Sequence, residues 1–547
     1  MYLRQNPVLT HELLSNLRAP RAFLLLAAYL ALLGGVVFLA WPQEEKLDFS
    51  NPQAAKRLVN LFFLGQYFTA SLMAPSFAAG AITGEKERLS FEMLLASPLR
   101  PGGIVLGKLL AALTHLGILM LSSLPIVMLC LPLGGVHISE VFGAYAAMIS
   151  SVILFGMISL WCSSYFGRTS SSLVVSYLLI LPLAMVGILI WMALGQLGEA
   201  RLFFVTTIIP IACIALSGML WYDTMRRLLY PADLGSGGKE AIDLESEARN
   251  AVGLYIDRED FPDRLFAPPK RNDFIDDDAN PIYDKEMRSE IFAQGTLMLR
   301  VVILVSMVLA IPIMAACLYI MPQLAPWYIA YVLLFNMLVG PVFSAGSVCS
   351  ERERQTLDLL LTTLITPWQM LWGKLLSGLR VSTVLTSFLV WPVVLACIMP
   401  LDYWRNLPTM GGYLLITALC CVTTALTALV CSTISHKTTT SLISTYVVIV
   451  TLFLGPLAAR FFAETFFADE PGAEVVKAVS VVSPFSATFA LPLDIDRVQS
   501  GSATSADLQA TGEPWIFFVH IGWTLAYNLF LLLLIVWLFQ GRWRIRE

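Results

Sequence analysis

Charge is what this sequence has least of. Asp, Glu, Lys and Arg make up 14% of its 547 residues, against 57% hydrophobic residues and a mean hydropathy of +0.73. A soluble chain of this length needs far more polar surface, so the composition excludes one and implies a polytopic membrane protein. Histidine is also scarce, with five residues. His11-Glu12-Leu13-Leu14-Ser15 starts like a zinc-protease motif but has no second histidine. The nine cysteines fall in or at the ends of apolar runs, and none has metal-ligand spacing, so no metal site is expected. A phosphate-cradling loop is missing too. The Gly-Lys pairs at Gly107-Lys108, Gly238-Lys239 and Gly373-Lys374 are followed by Leu, Glu and Leu rather than Ser or Thr. The chain is therefore expected to bind no cofactor and to carry no ATPase or other catalytic residue. The apolar runs hold almost no acid at mid-depth, since Glu140 and Asp223 sit at run ends. That argues against a secondary transporter driven by an ion gradient, which needs such groups.

What is there is length of apolar chain. A bilayer core takes roughly 20 apolar residues per helical span. Twelve runs qualify, at about 22–41, 59–82, 104–131, 138–163, 170–195, 203–223, 297–321, 327–349, 371–399, 410–434, 439–459 and 515–539. With both termini inside the cell, Lys and Arg concentrate in the inner segments, as the positive-inside rule requires. The first run lacks a short apolar core with a small-residue cleavage site, which predicts a retained span rather than a signal peptide.

The chain also repeats itself. Glu85-Lys86-Glu87-Arg88-Leu89-Ser90-Phe91-Glu92-Met93-Leu94-Leu95, running on to Pro101 and Gly107-Lys108-Leu109-Leu110, returns as Glu351-Arg352-Glu353-Arg354-Gln355-Thr356-Leu357-Asp358-Leu359-Leu360-Leu361, Pro367 and Gly373-Lys374-Leu375-Leu376. A second repeat pairs Asn6-Pro7-Val8 through Glu12 with Asn280-Pro281-Ile282 through Glu286, before the first span of each half. These repeats predict two tandem six-span halves, 1–230 and 280–547, joined by a Gly- and Asp-rich cytoplasmic linker over 231–279. The second half alone carries a long outer segment, about 461–513. Its phenylalanine-rich start predicts interfacial or re-entrant helices there. Residues 85–95 and 351–361 are each expected to form one amphipathic helix, with Glu85, Arg88 and Glu92 on one face and Phe91, Leu94 and Leu95 on the other. Lys108 and Lys374 are expected to anchor their spans at the inner interface. Arg380, deeper in its span, and the isolated His115 are candidates to line a cavity, with snorkelling and core hydrogen bonding as the plainer alternatives.

The duplicated motif resembles the second-to-third-span region of permeases of the type-2 ABC transporter superfamily. The Asn-Pro segment is similar to the amphipathic helix which that family places before its first span. The resemblance implies an all-α polytopic membrane protein of 12 transmembrane helices, with cytoplasmic amphipathic entering and coupling helices. It implies the permease of an ATP-driven exporter in a bacterial cytoplasmic (inner) membrane. Glu85, Glu87, Arg88, Glu92, Glu351, Glu353, Arg354 and Asp358 would seat two copies of a cytosolic ABC ATPase, and ATP and Mg would reside on those partner chains. The bilayer and a transported substrate are the other partners, with no nucleic acid. Spans rich in Phe, Leu and Met favour lipid-like or amphipathic cargo. A membrane anchor for a cytosolic assembly is the remaining alternative.

Overall fold

The computed structural model describes residues 52–88, 90–130, 138–167, 169–193, 203–229, 280–288, 325–353, 355–363, 365–398, 407–466, 478–491 and 514–544, with isolated positions at 9–10, 27–35, 304–315 and 476. Among the described residues there are helices and turns and no strand. Nine of the helical stretches are long and apolar enough to cross a membrane. The chain is an all-α, multi-pass membrane protein. The expected spans 22–41 and 297–321 lie largely outside the described residues, as does the 231–279 linker. The chain divides into two compact units, Met1–Glu240 and Ala241–Glu547.

The first unit contains α1 (Pro52–Ala78), α2 (Gly80–Glu87), α3 (Phe91–Leu95), α4 (Pro101–Ser122), α5 (Leu124–Cys130), α6 (Ile138–Tyr165), α7 (Thr169–Ala193) and, after a π turn over Phe204–Ile208, α8 (Ile209–Leu229). Helix α6 is the hub, packed on α1, α4, α7 and α8. Its small and apolar residues from Val141 to Leu160 are buried around most of the circumference, as expected of a helix enclosed by others rather than by lipid. Gln66 of α1, fully buried, donates to Tyr29 Oη at 3.3 Å and also reaches Ser123 Oγ.

The second unit contains α9 (Pro281–Arg288), α10 (Ala325–Ala345), α11 (Cys349–Glu353), α12 (Leu357–Leu361), α13 (Pro367–Ile398), α14 (Leu407–Ile434), α15 (Thr438–Phe466), α16 (Pro484–Phe489) and α17 (Pro514–Arg544). Here α14 is the hub, packed on α10, α13, α15 and α17. A polar knot ties three of these helices together. The Asn336 amide donates to Ser382 Oγ, Thr386 Oγ1 and Cys421 Sγ at 3.1, 3.2 and 3.0 Å and accepts from Thr424 Oγ1 at 3.1 Å. Gly340 admits this approach, because a Cβ there would lie 2.8 Å from Thr424 Oγ1.

Three expectations need correction. Residues 85–95 are not one helix: α2 ends at Glu87, and Ser90, near the bridge region at φ −96° and ψ −5°, precedes a separate α3. In the second copy Gln355 has φ 57°, a left-handed residue that breaks the helix between Glu353 and Leu357. Phe461–Phe466 forms no separate helix, but the last turns of α15. A buried short element lies further on. Ser480–Val482 forms a 3₁₀ turn and leads into α16, with Ser480, Pro484, Phe485, Ala487 and Thr488 all buried.

Candidate functional site

The duplicated motif folds into the same hydrogen-bonded node in each unit. In the first unit, the Ile82 and Thr83 N–H groups in the first turn of α2 both donate to Ser163 Oγ, at 3.1 and 2.9 Å. These are donors a helix start leaves without an intrahelical acceptor. Lys86 Nζ donates to the carbonyls of Ser164, Phe166 and Ser163 at 2.7, 2.9 and 3.4 Å, placing a cation at the C-terminal end of α6. Glu87 Oε1 accepts from the Thr169 N–H at 2.7 Å, placing an anion at the N-terminus of α7. Glu85 turns inwards, 3.3 Å from the Nζ of Lys108, which is 2% exposed, and its other oxygen accepts from Ser90 Oγ.

The second unit repeats each contact. The Val348 and Cys349 N–H groups donate to Ser432 Oγ at 3.0 and 3.1 Å. Arg352 donates to the Ser435 carbonyl at 2.8 Å. Glu353 accepts from the Thr438 N–H and hydroxyl at 3.0 and 2.9 Å. Glu351 accepts from Thr356 Oγ1 and lies 3.5 Å from Lys374 Nζ. Helix α9 adds to this node. Asn280 caps it through the N–H groups of Ile282 and Tyr283, Pro281 occupies its first turn, and Ile282 enters the apolar core beside Leu371 and Leu375. A Cβ at Gly373 would lie 3.0 Å from Asn280 Oδ1, so glycine lets α9 cross α13 closely. Lys285 then reaches Glu351 at 2.9 Å, and Lys374 reaches Glu286 at 2.9 Å and the Ser347 carbonyl at 2.7 Å. Thr366 and Gln369 start α13 with a reciprocal capping box, each side chain accepting the other's backbone N–H.

These contacts revise the expected roles. Lys108 and Lys374 are buried, paired cations, each with a carboxylate within reach. All four glutamates are engaged within their own unit: Glu85 and Glu351 pair with the buried lysines, while Glu87 and Glu353, themselves exposed, hold the starts of α7 and α15. The most exposed large apolar side chains at the nodes are Met93 at 78% and Leu359 at 72%, at matching places in the two copies. Arg88 and Glu92 flank Met93 and are exposed. Arg354 and the Asp358 side chain lie outside the described residues, as does the His115 side chain. Arg380 is half-buried and donates to Tyr283 Oη of α9 at 2.9 Å, so it reaches back towards the node rather than into a cavity. Among the described residues no group of three His, Cys, Asp or Glu side chains is placed to hold a metal.

Ser163, Thr169, Ser432 and Thr438 were missed by the motif analysis, although the sequence carries their signal. Ser163-Ser164 through Arg168-Thr169 matches Ser432-Thr433 through Lys437-Thr438, a third repeat whose spacing joins the end of one helix to the start of the next. The Ser90 hydroxyl, with Lys108 and Arg88 behind it, holds the Glu85 carboxyl below its ordinary value of 4.5 against its partial burial. Burial and the nearby Arg227 push Lys86 down to about 8, which leaves it charged at neutral pH among its carbonyl acceptors. A carboxylate with a lowered folded-state value contributes stability that is complete above the ordinary value and is lost as pH falls through the lowered one. Ser90→Ala should therefore shift the acid limb of a melting-temperature profile to higher pH. Coincident profiles for the variant and the parent chain would contradict that role for Ser90.

A family model described as ABC-2 family transporter protein matches the chain over two segments, residues 7–212 and 254–542. No curated protein and no solved structure matches it.

Proposed function

The chain belongs to the ABC-2 family of transporter proteins, and on that premise we propose that it is the permease component of an ATP-driven exporter. Two six-span halves lie in tandem, 1–230 and 280–547, with both termini in the cytoplasm of a cell whose inner membrane it crosses twelve times. The chain itself is not catalytic. Hydrolysis falls to a separate ABC ATPase, which brings the ATP and Mg and binds as two copies, one beneath each node.

The observation that carries this reading is the repetition of the node contact by contact. In each copy the motif helix, the end of one span and the start of the next are joined by an equivalent serine, a basic residue (Lys86 or Arg352) and an equivalent glutamate. A short helix projecting from such a junction moves with two spans together, so force applied to it is transmitted rather than absorbed. Two copies with equivalent outward residues suit two identical ATPase subunits. The scarcity of acidic residues in the spans argues against a carrier driven by an ion gradient.

The test is purification of the chain from its own membrane. Alone it should hydrolyse no ATP. With its ATPase it should run in native mass measurement as one chain to two ATPase subunits, and in liposomes it should support ATP-dependent flux. A complex of two permease chains with two ATPases would overturn the tandem reading. Flux driven by an ion gradient without ATP would overturn the class.

A further inference from the structure

The first unit contains a cavity that the node does not explain. It holds about 80 Å3 between α1, α6, α7 and α8, and Phe63, Tyr67, Met148, Trp191, Val205 and Ile209 carry most of its wall. Its lining is nearly all apolar, with Tyr67 and Ser151 contributing hydroxyls. A cavity so lined offers water too few partners to hold it. It also cannot stay empty at no cost, because its walls lose their dispersion contacts. The residues beside its lining are exposed and apolar: Ile190 next to Trp191, Phe204 next to Val205, and Ile208 next to Ile209. In a membrane such a surface meets hydrocarbon, so the cavity opens towards lipid tails rather than water.

The second unit shows what such a space takes. Its node contacts match Ser163 to Ser432 and Thr169 to Thr438, and the same spacing along the hub helices matches Ala144 to Tyr413 and Ser151 to Cys420. Ala144 and Ser151 line the first unit's cavity. Their counterparts meet the buried short segment: Tyr413 Oη donates to the Leu491 carbonyl at 2.6 Å, and Cys420 faces Val482 and Pro484 across a small gap. Phe489 packs edge-on against Trp327 at 5.1 Å in the same place. The second unit thus fills the space with its own apolar segment.

We propose that the cavity of the first unit is a binding site for one lipid acyl chain, which takes the place that residues 480–491 hold in the second unit. The occupant is the tail of a membrane lipid, because the lining is apolar, the mouth lies among lipid-facing residues and the walls offer no charged group for a headgroup. The site is independent of ATPase docking, so its failure and the failure of the transporter reading are separable.

The test uses the full chain in nanodiscs containing a phospholipid with a diazirine in its acyl chain, with cross-links mapped by mass spectrometry after illumination. Cross-links are expected on α1, α6 and α7 at or beside Tyr67, Met148 and Trp191. Ala147→Phe, which fills the cavity, should reduce them at least tenfold. Labelling of the exposed Phe518 and Leu529 face of α17 should be unchanged and serves as the internal control for folding. Ile188→Phe fills the same space from α7 and should act alike, so misfolding of one variant does not decide the outcome. Labelling confined to exposed faces in the parent chain, or equal labelling of the cavity residues in a folded, filled variant, would overturn the proposal.

Discussion

Lys374→Met is expected to be the most destabilising single substitution at either node, at about 3–5 kcal/mol, the range seen when one partner of a buried pair is removed. Lys374 is 1% exposed and holds Glu286 at 2.9 Å, the Ser347 carbonyl at 2.7 Å and Glu351 at 3.5 Å. Without it, Glu286 and a Glu351 side chain that is 9% exposed are left close together, and the more exposed Lys285 remains to balance them. The loss is therefore one of charge compensation rather than of packing volume, which Met preserves. Adding Glu351→Gln should recover part of it, and Glu351→Gln alone should cost less than Lys374→Met. Lys108→Met should be milder, because Glu85 is 30% exposed and water can take up part of the uncompensated charge. Melting of the purified chain, followed by loss of monodisperse protein, gives the ranking. A Lys374→Met melting temperature equal to that of the parent chain would remove the pairing from the account of the fold.

The duplicated motif was legible as a sequence pattern, but its chemistry was misread for a physical reason. A run such as Glu85-Lys86-Glu87-Arg88 looks like a solvated helix face, because periodicity says where side chains point relative to one another and not what lies beside them. The four helix ends that consume these charges come from residues 163–169 and 432–438, far along the chain. Glu87 and Glu353 stabilise helix starts, Lys86 and Arg352 a helix end or its continuation, and those partners were invisible to a local reading. Continuity was misjudged in the same way. The spacing of Phe91, Leu94 and Leu95 fits a helix reaching back to Glu85, yet Ser90 and Thr356 bond back to Glu85 and Glu351 and end the first turn run there. In the second copy of the Asn-Pro repeat the expected helix is α9, with its reasons in a capping Asn280, a first-turn Pro281 and a core Ile282, whereas the first copy lies largely outside the described residues.

Inequality between the halves was legible only as length. The 461–513 segment announced that the second unit differs beyond α15. What it does could not be read from composition, since a Ser- and Pro-containing stretch such as 480–491 reads as a surface loop. Burial overrides that preference, because Tyr413 and Trp327 supply partners for a turn inside the helices. The polar knot at Asn336 is a second inequality, and its place in the first unit is held by apolar residues such as Leu116, Met120 and Phe155. The two units thus share their node while differing in the middle and at the far end.

Met93→Asp together with Leu359→Asp should abolish association with the ATPase while leaving the permease folded. Both residues are among the most exposed large apolar side chains, at 78% and 72%, and each projects from a short helix whose flanks are tied down. Exposed apolar side chains at equivalent points of two rigid nodes fit the central contact of an interface, where truncation or a new charge costs about 2 kcal/mol or more. Two such sites engaged at once would together cost about 4 kcal/mol, roughly a thousandfold in affinity. Each single substitution should leave a weakened, asymmetric complex with one ATPase bound, visible by native mass. Met93→Leu, which keeps the apolar surface, should bind as the parent chain does. Charge reversal at Glu87 and Glu353 separates this reading from one based on surface charge. Those carboxylates cap α7 and α15, so their reversal should lower the melting temperature first and affect association only through it. Should the Asp variants still co-purify with the ATPase at full stoichiometry while charge reversal at Arg88 and Glu92 releases it, the docking contact would be ionic, and the apolar tips of the two nodes would need another explanation.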